Sequence, residues 1–246
     1  MKKINTLFLL ISFFALGTGC TDQKLSQKTK ISDQQECVVL IHGFLRSSNH
    51  LKNLSDFLIE NGYYVVSIEY ESTSMSISEI ADSNLSNFEE HCQNQKIHFV
   101  THSLGGILLR SYLKKNQIKH LGKIVMLAPP NKGSEVADFL SKFKVFNLIL
   151  GPVVSQLKTD QNSYVNSLGL PNFQFGIIMG NVTIDPISSY LIPGDDDGKV
   201  SIENSKLENM NDFLLVERTH NFIVDAPEVK EAILNYFKFG KFKNER

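Results

Sequence analysis

Residues 100–106 read Val-Thr-His-Ser-Leu-Gly-Gly (VTHSLGG). Ile97–Thr101 is a short apolar run of strand character, and Leu104–Lys115 follows with helical spacing of its apolar residues. Serine is a poor nucleophile unless it is exposed on a tight turn beside a base. A strand that turns at once into a helix exposes it, provided the residues two away are small. Gly105 meets that need on the far side, while Thr101 adds some crowding on the near side. The helix that begins after Ser103 also aims its positive end at the turn, favouring developing negative charge. The short pattern alone is weak; the strand before it and the helix after it give it weight.

Outward from this turn, strand-like and helix-like segments alternate. Val38–His42, Tyr63–Tyr70, Ile97–Thr101 and Lys123–Ala128 read as strands, and Phe173–Gly180 and Phe213–Glu217 carry the same signal later. Between them Ser48–Asn61 sets Leu51, Leu54, Phe57 and Leu58 on one helical face, and Ile77–Glu90 reads as a second helix. Such alternation implies an α/β fold with a mostly parallel, buried sheet. Residues 131–170 hold no clear strand. Within them Val136–Leu150 is an apolar helical segment stopped by Gly151-Pro152. It is either an ordinary crossover helix or a small cap whose apolar face would suit an acyl chain.

A second element lies upstream at His42-Gly43-Phe44. A turn there would set the Phe44 backbone N–H beside that of Leu104, two donors for an oxyanion. Together, VVLIHGF (38–44), VTHSLGG (100–106), MLAPPNKGS (126–134), DDGKVS (196–201) and ERTHNFI (217–223) resemble the α/β-hydrolase superfamily, especially its bacterial lipase and esterase branch. The segments span nearly the whole domain in the family's order, and THSLGG is itself familiar in that branch. The resemblance implies an α/β-hydrolase fold, a mostly parallel central sheet flanked by helices. It also implies a Ser–acid–His triad in that chain order, with Ser103 as nucleophile.

The base belongs in a loop after the last strand, where His220 stands. Of the other histidines, His42 and His102 lie in the motifs and are expected to order loops. His50, His91, His98 and His120 read as surface or structural residues. Asp195, Asp196 and Asp197 are consecutive, and only one can be aimed at the imidazole. Asp197, in Asp197-Gly198-Lys199-Val200, best matches the family's D-G-x-V segment. The acidic run fails as a calcium loop, because Pro193 and Asn204 occupy the first and last ligand positions. Asp225-x-x-Glu228 with Pro227 reads as a capping box for the closing helix.

Lys2 and Lys3 precede the apolar run Leu7–Leu16, which is too short to span a core of about 30 Å. Residues 1–19 are read as a cleaved signal peptide. Small residues followed by Cys20 resemble the bacterial lipobox, although Gly17 stands three positions before the cysteine where leucine is usual. Cys20 is therefore a lipidation candidate that would anchor the chain to a membrane, with plain secretion as the alternative. Residues 20–36 are polar and read as a flexible tether, leaving 37–242 as one hydrolase domain. Cys37 and Cys92 each precede a strand. In the family those two strands are neighbours, and in an exported chain this implies a Cys37–Cys92 disulfide, two free thiols being the alternative.

The 246 residues carry 25 Lys+Arg against 26 Asp+Glu, a formal charge of −1. Loss of the leader leaves 23 basic residues against 26 acidic, a charge of −3. Neither value provides the basic surface that nucleic acid requires. No phosphate loop, dinucleotide fingerprint or zinc cluster is present, so no cofactor or metal is expected. The expected chain is a monomeric serine hydrolase acting through an acyl-enzyme on carboxylic esters, with acyl-ester or lipid-like substrates. An acyltransferase would use the same acyl-enzyme. A non-catalytic surface-binding lipoprotein is the other class, but it would have no need of Ser103, Asp197 and His220 together.

Overall fold

The computed structural model describes residues 35–243. The signal peptide, Cys20 and nearly all of the tether lie outside the described residues.

Six strands are formed among the described residues: β1 (Cys37–Ile41), β2 (Tyr64–Ile68), β3 (Ile97–His102), β4 (Leu121–Leu127), β5 (Phe175–Gly180) and β6 (Asp212–Val216). They make one sheet in the order β2-β1-β3-β4-β5-β6, and every pairing is parallel. A parallel sheet is covered on both faces, which is why its central strands are continuous apolar runs. β1 shows this directly. Cys37, Val39 and Ile41 enter one core, and Val38 and Leu40 enter the other.

The principal helices are α1 (Lys52–Glu60, after a 3-10 turn at Ser48–Leu51), α2 (Ile77–Asn84), α3 (Leu104–Lys115), α4 (Glu135–Ser141), α5 (Lys144–Leu150), α6 (Val153–Gln156) and α7 (Pro227–Phe239). α2 and α3 bury Ile77, Ile80 and Leu108 on one face of the sheet, while α1 and α7 bury Leu54, Leu58, Ile233 and Phe237 on the other.

Three local expectations are corrected. The helix expected over Ile77–Glu90 stops at Asn84, where Ser83 and Asn84 turn their side chains back onto the carbonyls of Glu79 and Ile80. A separate turn, Phe88–His91, then buries Phe88. The apolar segment Val136–Leu150 is two helices, because Phe143 is extended and packs edge-on against Phe139 and Phe146. Finally, α7 has no capping box. Asp225 instead accepts from Asn53 Nδ2 at 3.0 Å, and Glu228 pairs with Arg218 at 2.8 Å. Pro227 in the first turn and left-handed Gly240 after the last delimit that helix.

The chain runs from β1 to β2 on one side and then crosses to β3 on the other. This reversal opens a crevice beyond the carboxyl ends of β1 and β3, where ligands of open parallel sheets bind. At the opposite end Cys37 and Cys92 are joined in a disulfide with Cα atoms 5.6 Å apart. Glu36 lies beside it, paired with Lys96 at 3.1 Å and with the buried His98 at 3.0 Å. Among the described residues no helix is long and apolar enough to cross a membrane.

Candidate active site

The turn between β3 and α3 is as sharp as the sequence requires. Ser103 has φ 51° and ψ −121°, a region that side-chain-bearing residues rarely adopt. Its amide donates to Leu127 O at 2.9 Å, tying the turn to β4. Two glycines let it press against the end of β1. A Cβ on Gly105 would lie 2.4 Å from Ile41 O, and one on Gly43 would lie 2.9 Å from His102 Nδ1. Thr101 is accommodated because Gly106 faces it; a Cβ there would meet Thr101 Oγ1 at 3.2 Å.

The loops after β5 and β6 bring the other two groups to Ser103. His220 Nε2 lies 3.0 Å from Ser103 Oγ, and His220 Nδ1 lies 2.7 Å from Asp197 Oδ2. With Nδ1–H donating to the carboxylate, Nε2 presents its lone pair to the serine hydroxyl. Asp197 is 1% exposed, and its second oxygen accepts the amides of Lys199 and Val200, each at 3.0 Å. The His220 amide returns a bond to Asp197 O at 2.9 Å. The neighbouring aspartates do other work. Asp196 accepts from the Gly198 amide and the Ser189 hydroxyl, and Asp195 is exposed at the turn.

Phe44 and Leu104, the expected oxyanion donors, both lie next to Ser103, Phe44 across the cavity and Leu104 along the chain. Phe44 forms part of the cavity wall beside Ser103, and Leu104 opens α3, so its amide has no intrahelical acceptor. Neither amide donates to another protein group among the described residues. The next residue, Leu45, is held at φ 53° by its amide bond to Ser72 Oγ at 2.9 Å. Ser72 belongs to no sequence motif, and only the fold reveals its part in shaping this loop.

The motif histidines are ordering groups. His42 Nδ1 donates to Gly43 O at 2.9 Å, and its ring stacks on Tyr70 at 4.0 Å; Tyr70 in turn donates its hydroxyl to His42 O at 2.6 Å. His102 Nε2 donates to His220 O at 2.9 Å, fixing the backbone at His220. Burial pushes the His102 imidazole well below its ordinary pKa, so it stays neutral. Its ring stands between those of His50 and His220, with centroids 5.2 and 4.9 Å away.

Ser103 and His220 open onto a cavity of about 160 Å³. Val136, Leu140, Val154 and Leu157, all from residues 131–170, supply apolar wall, while Arg46, Asn221 and Lys199 supply polar wall. Among the described residues no group of three or more His, Cys, Asp or Glu side chains could hold a metal ion.

The profile of the palmitoyl protein thioesterase family matches residues 37–169. No curated protein matches the chain. Among solved structures the chain is similar to a Bacillus licheniformis lipase in its propeptide form, at 19% identity and a TM-score of 0.63 over 78% of this chain and 48% of that one. It thus spans about half the length of that lipase. A metagenomic carboxyl esterase is similar at 15% identity and 0.60 over 85% and 71% of the two chains. The lipase of Staphylococcus hyicus is similar at 13% and 0.60 over 81% and 91%. At these identities the likeness shows the α/β-hydrolase fold.

Proposed function

Since the chain belongs to the palmitoyl protein thioesterase family, we propose that it is a serine hydrolase of acyl esters, oxygen- or sulfur-linked, with Ser103, Asp197 and His220 as its triad. The observation that carries this reading is the unbroken relay of 3.0 Å from Ser103 Oγ to His220 Nε2 and 2.7 Å from His220 Nδ1 to Asp197 Oδ2, beside a largely apolar cavity.

His220 takes the Ser103 proton as Ser103 Oγ attacks the acyl carbonyl, and Asp197 stabilises the imidazolium. The Phe44 and Leu104 amides receive the oxyanion; one such donor is typically worth about 10²–10³ in rate. The imidazolium then protonates the leaving group. Water activated by His220 attacks the acyl-enzyme, releases the carboxylic acid and restores Ser103. The apolar side chains of α4 and α6 receive the acyl chain.

Trapping tests the covalent step. After rapid mixing with p-nitrophenyl palmitate and acid quench, mass spectrometry is expected to find palmitoyl mass on the peptide containing Ser103. Steady hydrolysis with no acyl adduct there, even in a variant slowed in deacylation, would count against it. We propose further that residues 1–19 export the chain and that lipidated Cys20 anchors it. Metabolic labelling with radioactive palmitate should then mark the wild type and not Cys20→Ser, and equal labelling or none would remove the anchor.

A further inference from the structure

Arg46 has no part in the chemistry above, yet it forms wall of the same cavity. It follows the His42-Gly43-Phe44 turn, is half-buried, and donates from Nη2 to Asn221 Oδ1 at 3.0 Å. Asn221 adjoins His220, so the guanidinium stands at the imidazole end of the cavity. Among the described residues no carboxylate pairs with it. The carboxylates of nearby segments are engaged elsewhere. Asp225 accepts from Asn53 at 3.0 Å, and Glu69 accepts the Ser48 amide at 2.8 Å. Asp185 accepts the Ser188 hydroxyl at 2.5 Å and lies 3.5 Å from Lys199 Nζ. Burial alone draws the Arg46 pKa down, and its charge opposes protonation of His50 and His102. A cation partly removed from water without a counter-charge is unfavourable until an anion meets it.

The two ends of the cavity are assigned by the reaction. The proton that His220 takes from Ser103 must be handed to the leaving oxygen, so the leaving group lies beside the imidazole. The apolar walls formed by Val136, Leu140 and Leu157 remain for the acyl chain. We propose that Arg46 is a specificity-determining residue that binds an oxyanion, phosphate or carboxylate, on the alcohol portion of the substrate; the assignment rests on the ester-hydrolase reading above. In the reaction the acyl C–O bond breaks, the Ser103 Oγ–acyl bond forms, and the serine proton passes through His220 to the departing oxygen. Water then cleaves the acyl-enzyme. Arg46 makes none of these bonds. Its planar fork holds the anion of the alcohol while they occur.

Matched substrates test this. Wild-type protein is given 1-palmitoylglycerol 3-phosphate against 1-palmitoylglycerol, and O-palmitoyl-lactate against its methyl ester. For at least one pair, kcat/KM for the charged member is expected to exceed the neutral by about tenfold, mainly through KM, the size of one charge-assisted hydrogen bond. The pair that shows it identifies the oxyanion. Arg46→Gln should bring that ratio to about one, and Arg46→Lys should restore part of it. Equal kcat/KM within both pairs in the wild type overturns the proposal, as does an Arg46→Gln loss that is the same on all four esters. Turnover of the neutral esters in those cases leaves the hydrolase reading standing. No turnover of any ester, with no fluorophosphonate labelling of Ser103, overturns both.

Discussion

The carboxylate of Asp197 gives both oxygens to fixed donors, one to His220 Nδ1 and one to the Lys199 and Val200 amides. Asp197→Asn would present an amide to Nδ1 and favour the wrong imidazole tautomer. A loss of about 10⁴ in kcat is expected with the fold intact, read by steady-state kinetics alongside circular dichroism. Burial pushes His102 well below 6.5 and, with help from the Arg46 charge, His50 to about 4. As pH falls the unfolded chain therefore binds protons that the folded chain refuses. The stability tied to these neutral imidazoles is full above about pH 6.5 and declines toward pH 4. Tm should fall across that window, and His50→Gln should make the fall shallower; a parallel curve for the variant would contradict it. That Ser103 and His220 would meet is legible in the sequence, because a strand–turn–helix and a loop after the last strand leave few positions at that end of the sheet. The places of Arg46, Ser72 and Tyr70 are not, because they depend on contacts between segments, such as the 3.0 Å bond from Arg46 to Asn221, that no local pattern encodes.

At the scale of elements, the elbow depends on α3 lying against the end of β1. Gly105→Ala would drive a methyl to within 2.4 Å of Ile41 O, which is backbone and cannot swing aside. Destabilisation of about 3 kcal/mol is expected, seen as a lowered denaturant midpoint together with lost activity. The Cys37–Cys92 disulfide closes a loop with a sequence separation of 55 and lies at the end of the sheet away from Ser103. Its removal in Cys37→Ala/Cys92→Ala should cost about 2–4 kcal/mol, with kcat of the surviving fold near wild type. A large fall in kcat at temperatures well below Tm would show that the two ends are coupled. The strands were readable as apolar runs because burial on both faces demands them. The helix breaks near residues 85–87 and at Phe143 were hidden, since each is decided by what a side chain meets: the preceding turn's carbonyls for Ser83 and Asn84, and other aromatic rings for Phe143.

Over the whole molecule, one reversal of strand order puts the Phe44 turn and the Ser103 turn side by side, and the segments after β5 and β6 bring Asp197 and His220 to them. Residues 131–170 complete the cavity with apolar side chains from two short helices. The architecture follows from the alternation of strands and helices, whereas the meeting of apolar groups from residues 131–170 with Arg46, Lys199 and Asn221 around one cavity emerges only once distant segments are packed together. The proposed chemistry stands or falls with Ser103 as the nucleophile of an ester hydrolase. The most direct measurement pairs fluorophosphonate labelling with hydrolysis of p-nitrophenyl butyrate and palmitate by the wild type and Ser103→Ala. Stoichiometric labelling at Ser103 is expected in the wild type, and in the variant no label and a kcat lower by about 10³-fold or more. Wild-type protein that is neither labelled nor active on any ester, or a folded Ser103→Ala variant that hydrolyses them as well as the wild type, would contradict it.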